Sequence, residues 1–297
     1  MRSKIYLILI ALFAVSCSSD SSSDDVNSNN NGGNNNSTND LLVFEIIETN
    51  DGSDYVYTDR YFYDGNKLTS IVEEYSYQGG NSGIDYLYNF IYTNNKISRV
   101  DEYYGDTSTG IEGRYTFEYD NQGRVSFYDY CYLTISGTCE YNDTSTFTYS
   151  SNGTVTVSYV YSVGTDYEET QTYTLQFDNN GNITSAYDSF QDLDDSGNPT
   201  TITLNASFQY DNQNSPFKNI VGMDALMLLE FAENTLQFNA YNNCTSYNFD
   251  YSNTDDANDT NGYLAYDYNE DGYPRQVIVT SSSDGGSDNS TIEINYY

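Results

Sequence analysis

A short aromatic phrase returns along this chain about every 29 residues and ends each time in a polar turn. Its copies read Tyr61-Phe62-Tyr63-Asp64-Gly65, Phe90-Ile91-Tyr92-Thr93-Asn94, Phe117-Glu118-Tyr119-Asp120, Phe147-Thr148-Tyr149-Ser150, Leu175-Gln176-Phe177-Asp178, Phe208-Gln209-Tyr210-Asp211 and Tyr266-Asp267-Tyr268-Asn269. The closing aromatics fall at 63, 92, 119, 149, 177, 210 and 268, with gaps of 29, 27, 30, 28, 33 and 58. Self-similarity at a fixed period marks one supersecondary unit used repeatedly. The last gap is two periods long. It predicts a degenerate copy near residue 239, with Phe238 and Tyr241-Asn242-Asn243 as its remnant.

Within each unit the apolar residues alternate. Tyr115, Phe117 and Tyr119 share one face; Thr116 and Glu118 share the other. Tyr86, Tyr88, Phe90 and Tyr92 behave alike, as do Leu204, Ala206, Phe208 and Tyr210, and after a turn Val155, Val157, Tyr159 and Tyr161. Period two over five to eight residues is the signature of a half-buried strand. The turns Asn121-Gln122-Gly123, Ser151-Asn152-Gly153 and Asn179-Asn180-Gly181 place Gly where a positive φ is needed. The reading is all-β: an antiparallel meander of hairpins curled into a barrel-like sheet. One segment departs from it. Asp224 is placed to N-cap a short helix over 224–232, apolar nearly all round and therefore buried as a plug.

Composition restricts function. The chain has 34 Tyr, no Trp, no His and a formal charge of -34. That charge opposes nucleic-acid binding, which needs clustered Lys and Arg on phosphates. Without His, triads that use it are excluded. Paired carboxylates remain able to hydrolyse glycosides, yet no pair stands out from the acidic background. The expectation is a non-enzymatic protein, with no catalytic residues to name.

The N-terminus reads as an export signal. Arg2 and Lys4 precede an apolar stretch of 11 residues, Ile5–Val15. That is short of the roughly 20 needed to span a bilayer. Ala14-Val15-Ser16-Cys17 resembles the lipobox of bacterial lipoproteins, with Ala14 where Leu is usual. It implies cleavage after residue 16 and a lipid on Cys17. Residues 17–40, nearly all Ser, Asn, Asp and Gly, form a tether unable to bury apolar surface. The β domain then occupies 41–297. These features predict a lipid-anchored outer-membrane location, facing either the surface or the periplasm.

Cys131 and Cys139 flank a hairpin turn near Ser136-Gly137, so a disulfide between them suits an exported chain. Cys244 is then odd, either buried or free. Calcium is the one cofactor with a motif. Asp267-Tyr268-Asn269-Glu270-Asp271-Gly272 matches the opening of an EF-hand loop, with Asp267, Asn269 and Asp271 as ligands. Position twelve, however, is Ile278 instead of a bidentate Glu. Asp192-Leu193-Asp194-Asp195-Ser196-Gly197 is a second partial match.

Gly113 to Val125 resembles an Rhs/YD repeat, although the period here is longer. A closer resemblance is to Bacteroidota lipoproteins carrying a DUF4595-like domain, porin-like in fold and of unknown function. It rests on the six turns from Tyr63 to Tyr210, on Asn214-Ser215-Pro216-Phe217 and on Asp271-Gly272-Tyr273-Pro274. The resemblance implies a curled β sheet and brings no activity. The functional expectation is a binding or scaffolding role at the cell envelope, with glycan or envelope protein as partner. Two alternatives stay open: a glycan-binding protein of a nutrient-uptake system, and a calcium-stabilised adhesion module. A membrane-spanning barrel is the structural rival. Against it, Glu293 and Asn295 share parity with Tyr297, where such barrels carry apolar residues.

Overall fold

In the computed structural model the repeat becomes a ring of hairpins. The structure describes residues 41–77, 80, 82–105, 107–193, 198–226, 241–252, 260–283 and 286–297. Strand β1 (Val43–Asn50) opens the ring. Four hairpins follow: β2–β3 (Tyr55–Asp64, Lys67–Tyr77), β4–β5 (Ser82–Thr93, Lys96–Tyr104), β6–β7 (Gly113–Tyr119, Val125–Leu133) and β8–β9 (Cys139–Tyr149, Thr154–Tyr161). Three more complete the set: β10–β11 (Glu169–Phe177, Ile183–Leu193), β12–β13 (Pro199–Tyr210, Cys244–Ser252) and β14–β15 (Thr260–Tyr268, Pro274–Ser283). The last strand, β16 (Gly286–Tyr296), pairs antiparallel with β1. Sixteen strands thus form a closed barrel, which leaves no edge for another chain to extend.

Each aromatic phrase ends the first strand of a hairpin, beside its tight turn. In six of the seven hairpins the register slips by one residue just before or at the closing aromatic. Such a bulge re-aims a side chain, and every closing ring except Tyr268 lies in the core or packs against it. Their hydroxyls are used repeatedly. Tyr63 donates to Val43 O (2.8 Å), Tyr119 to Ile97 O (2.7 Å) and Tyr149 to Val125 O (2.8 Å). Two tyrosines outside the closing positions do the same on the other side of the ring: Tyr266, two residues before Tyr268, donates to Cys244 O (2.6 Å), and Tyr296 of β16 donates to Pro274 O (2.7 Å). Each bond ties one hairpin to a strand of its neighbour. A cation just after the turn covers the next hairpin's ring: Lys67 over Tyr92, Lys96 over Tyr119 and Arg124 over Tyr149.

The turns have a common device. Asp120 Oδ1 accepts from the backbone N–H of Gln122 and Arg124, both at 2.9 Å. Asp178 Oδ1 accepts from Asn180 and Asn182, both at 2.8 Å. Gly123 and Gly181 then sit at φ +84° and +86°, where a side chain would be strained.

The gap between 210 and 268 has a different cause from a lost copy. Strands β12 and β13 pair directly, so among the described residues no strand stands between them in the sheet. The extra length is an excursion inserted at their turn. Asp211 and Asn243 close its base: Asp211 N donates to Asn243 O (3.0 Å), and Asn243 N to Asp211 Oδ1 (3.1 Å). Phe238 lies outside the described residues.

The described part of the excursion, up to Leu226, turns inward as a plug. Phe217, Ile220, Met223 and Leu226 are buried among the strands' apolar residues. Val221 N donates to Asn66 O (2.9 Å), Tyr92 Oη to Val221 O (3.2 Å) and Asn219 Nδ2 to Leu41 O (2.9 Å). These bonds seat the plug against the turn-side end. Its helix, α1, spans Met223–Leu226. It therefore starts ahead of the expected Asp224 cap, because the Gly222 carbonyl accepts from both Ala225 N and Leu226 N. Residues 227–232 of the expected helix lie outside the described residues.

Two substitutions test this account. Phe217→Ala removes a buried ring and should cost ~3–5 kcal/mol in urea unfolding. Tyr119→Phe keeps the ring and deletes the hydroxyl bond, so its cost should be ~1 kcal/mol. Equal losses in the two would contradict separate roles for ring and hydroxyl.

Candidate functional site: the loop-side lumen

Pairing register fixes which side chains face inward. Tyr61, Ile71 and Tyr88 are buried and mutually opposed across β2, β3 and β4. Val100 and Tyr115 continue that face, as do Phe147, Val157 and Tyr173. All lie toward the plugged end. One inward step further toward the long loops, the chemistry changes. Glu48 follows Ile46, Asp59 precedes Tyr61, Glu73 follows Ile71, Glu102 follows Val100 and Asp188 follows Ala186. Asp143 stands two inward steps from Phe147, beyond Ser145. Six strands thus place a carboxylate at the same boundary, on the loop side of the apolar core.

Tyrosines surround these carboxylates. Tyr130 Oη donates to Glu102 Oε1 (3.0 Å), with Tyr115 Oη at 3.5 Å from the other oxygen. Tyr159 Oη donates to Asp143 Oδ2 (3.1 Å), and Ser162 N to Asp143 Oδ1 (2.7 Å). Gln171 Nε2 donates to Asp188 Oδ2. Ring contacts link Tyr88, Tyr86 and Tyr104 on β4 and β5. A second run joins Tyr115, Tyr130, Tyr132 and Tyr141 on β6, β7 and β8. Nearer the mouth the inward Tyr55, Tyr57 and Tyr104 are 43%, 41% and 57% exposed, so solvent enters from the loop side.

Two inward glycines shape the wall. The ring of Tyr130 lies across Gly113 and that of Tyr247 across Gly262, where any Cβ would collide with it. The rings lie along the sheet instead of projecting across the lumen.

The electrostatics follow from burial. Asp59 is pushed from 3.8 up to about 7, by burial first and by the charge of Glu48 second. Burial also raises Glu48, Asp143 and Asp188, opposed by hydrogen bonds from Ser290, from Ser162 and Tyr159, and from Ser189 and Gln171 respectively.

The outward face is different in kind. On β8, β9 and β10 it presents Thr144, Thr146, Thr148, Thr154, Thr156, Ser158, Thr170, Thr172 and Thr174. On β12 and β13 it presents Thr203, Asn205, Ser207, Gln209, Ser246, Asn248 and Asp250. On β16, Thr291, Glu293 and Asn295 point out while Ile292 and Ile294 are buried inside. Outward apolar residues occur singly on several strands: Ile47 on β1, Phe62 on β2, Val72 and Leu87 on β3 and β4 beside the Arg60–Glu74 ion pair, Val160 on β9 and Ile278 on β15. A lipid-facing barrel needs an apolar band ~25 Å tall around its whole girth, and this surface has no such band along the described strands.

The other sequence candidates fall elsewhere. Cys131 and Cys139 are joined, with S–S 2.02 Å and Cα–Cα 5.6 Å, around the loop at 134–138. Cys244 is buried and its thiol is pushed up to about 12 by burial, which suppresses reactivity. Asn269 Oδ1 accepts from Asp271 N (3.0 Å) and Tyr273 N (2.9 Å), the same turn device as Asp120 and Asp178. Asp267 is held by Arg275 at 2.7 Å. Among the described residues no group of three or more His, Cys, Asp or Glu is placed to hold a metal. Cys17 and residues 194–197 lie outside the described residues. The inward carboxylates carry no local motif of their own, and only parity marks them: Glu102 shares it with Val100 and Asp143 with Phe147.

No protein-family signature matches the chain, and no curated protein does either. Two solved structures are similar in fold. One is a porin-like protein from Bacteroides vulgatus, 14% identical, with a TM-score of 0.52 over 87% of this chain and 99% of that one. The other is a porin-like protein from Bacteroides uniformis, 13% identical, with a TM-score of 0.50 over 86% and 96%. The fold is thus a porin-like barrel.

The raised Asp59 carboxyl carries a pH prediction. Its folded form holds the proton more tightly than the unfolded chain does, so its contribution favours folding at low pH. That contribution should be lost as pH climbs from about 4 to about 8. Asp59→Asn should flatten this slope and raise the melting temperature at the alkaline end. An unchanged slope in thermal melts across that range would refute the assignment.

Proposed function

We propose that this chain is a non-enzymatic binding protein of the bacterial envelope, anchored by lipid on Cys17 and taking its ligand in the loop-side lumen. One observation carries the reading. The barrel is stoppered by Phe217, Ile220, Met223 and Leu226 at one end, while its other end is lined by tyrosines and carboxylates. A stoppered barrel is a cup and not a conduit. Concave sites with a few convergent polar groups are the usual seats of small ligands.

The hydrophilic outward face supports the anchoring half of the proposal. Thr, Ser and Asn do not hold a barrel in hydrocarbon, so attachment must come from elsewhere. The apolar stretch, the Cys and the polar segment at 17–40 supply that means. The porin-like proteins from Bacteroides fit an envelope location. A glycan is the second reading, favoured by the linked tyrosine rings, whose broad faces and polar tips suit sugar rings.

Two measurements test this. Cells fed radioactive palmitate should label the wild-type chain and leave Cys17→Ala unlabelled; label on the variant would refute the anchor. The purified full chain should give no conductance steps in a planar lipid bilayer. Stepwise currents would overturn both the cup and the extramembrane barrel.

A further inference from the structure

The lumen's charge is one-sided, and this bears on what the cup can hold. Six carboxylates stand at its inner boundary, Glu48, Asp59, Glu73, Glu102, Asp143 and Asp188, and Glu169 and Asp288 share the inward face nearer the mouth. Two of the ten basic residues, Arg2 and Lys4, precede the described part of the chain. The other eight all engage groups elsewhere. Arg60, Arg99 and Arg114 point outward, paired with Glu45 and Glu74 or with Asp101. Lys67, Lys96 and Arg124 lie beside the tight turns, Lys218 binds Asn214, and Arg275 holds Asp267. Among the described residues no lysine or arginine stands on the inward face.

The carboxylates are also spread out. No three acidic groups converge tightly enough for a metal among the described residues. Asp59 and Glu73 lie directly opposite one another, and round the wall carboxylates alternate with tyrosine rings: Tyr86 lies opposite Glu73, Tyr88 opposite Glu102 and Tyr130 opposite Asp143. Carboxylates with interleaved π faces suit ammonium groups, which are attracted to both. Spacing along a wall suits several ammonium groups on one extended chain, not one compact ion.

A separate observation points to a missing partner. Ser145 sits beside Asp143 on the inward face of β8, opposite Tyr128 and Tyr159. It is 1% exposed, and its hydroxyl has no hydrogen-bond partner. A buried hydroxyl left so is costly, and a ligand N–H at this position would satisfy it.

We propose that the loop-side lumen binds an extended organic polycation, a chain carrying several protonated amines, along the arc Asp59–Glu73–Glu102–Asp143 with Ser145 at its inner end. This rests on the cup reading above and gives its ligand class. Two sources share the chemistry, a linear polyamine and an oligomer of glucosamine.

The test uses the full-length chain and its own tyrosine fluorescence, with isothermal titration alongside. Three probes are compared: spermine, the glucosamine tetramer and the neutral N-acetylglucosamine tetramer. At least one charged probe should bind saturably, and the neutral tetramer at least tenfold more weakly; which charged probe binds identifies the source. Glu73→Gln and Asp143→Asn should each weaken binding about tenfold. Ser145→Ala should weaken it less, while the outward Glu293→Gln and Asp250→Asn leave it unchanged. Neutralising one of several like charges relieves repulsion, so the inward variants should fold, as a thermal melt will show. Should either fail to fold, Ser145→Ala and added salt still decide: binding unaffected by both would refute the site. Losses as large in the outward variants as in the inward ones would place the polycation on the surface and overturn the proposal. If the neutral tetramer binds as well as the charged one, the polycation is refuted and the cup stands. If no probe binds, the polycation is refuted and the cup loses its support with it.

Discussion

The width of the barrel governs everything inside it. Interior diameter grows with strand number, and at sixteen strands a barrel is wide enough to leave an aqueous channel. Aliphatic side chains projecting from such a wall do not meet in the middle. This chain answers with ring-sized residues and an inserted segment. Tyr61, Tyr88, Phe90, Phe117 and Phe147 fill from the wall, and Phe217 and Leu226 fill from the excursion. Tyrosine suits the role because its ring supplies volume while its hydroxyl reaches a backbone carbonyl. The bonds from Tyr63, Tyr119, Tyr149, Tyr266 and Tyr296 show the same solution repeated round the ring. Toward the long loops the inward Tyr55, Tyr57 and Tyr104 are exposed, so the filling does not extend to that end.

The same topology occurs in two solvents, and the direction its apolar residues face differs between them. A membrane barrel places its apolar residues outward and its polar ones inward. Here Ile292 and Ile294 point in while Glu293 and Asn295 point out. The hydrophobic effect therefore acts on the inner face of this strand, where both isoleucines are buried. Closure adds a second benefit. A Thr- and Tyr-rich chain of long strands would aggregate through any open edge, and the pairing of β1 with β16 leaves none.

Much of this architecture could be read from the residues, and the failures are informative. Parity placed Tyr115, Phe117 and Val157 inside because strand side chains alternate with a fixed period. The tight turns were legible because Gly123 and Gly181 follow Asp120 and Asp178 at fixed spacing. Closure was not legible. It depends on pairing between Ile46 and Ile294, and no local pattern encodes that contact. The double gap after Tyr210 was misread because counting periods does not separate a lost hairpin from an insertion. Asp211 and Asn243 hold the two ends of that insertion together, and only the register shows it. The turn at Asn269 imitates a calcium loop because both uses favour Asn, Asp and Gly.

The inward carboxylates were hidden by abundance. Among 44 acidic residues, Asp59, Glu73, Glu102 and Asp143 look like solvated surface. Parity alone put each in line with a core residue, but the strand-to-strand register was needed to bring them to one boundary. Their position also argues against chance. An acidic chain can place its carboxylates outward at almost no cost, as Glu293, Asp250 and Glu118 do. Placing them inward sets Asp59 directly across from Glu73, and like charges in that relation oppose folding. Burial raises the proton affinity of Asp59 on top of that. The lysines and arginines that could relieve this are few, and those described stand outside or at the turns. A wall arranged so is least stable when empty of positive charge, and that is the physical ground of the proposal that a cation is held in the lumen.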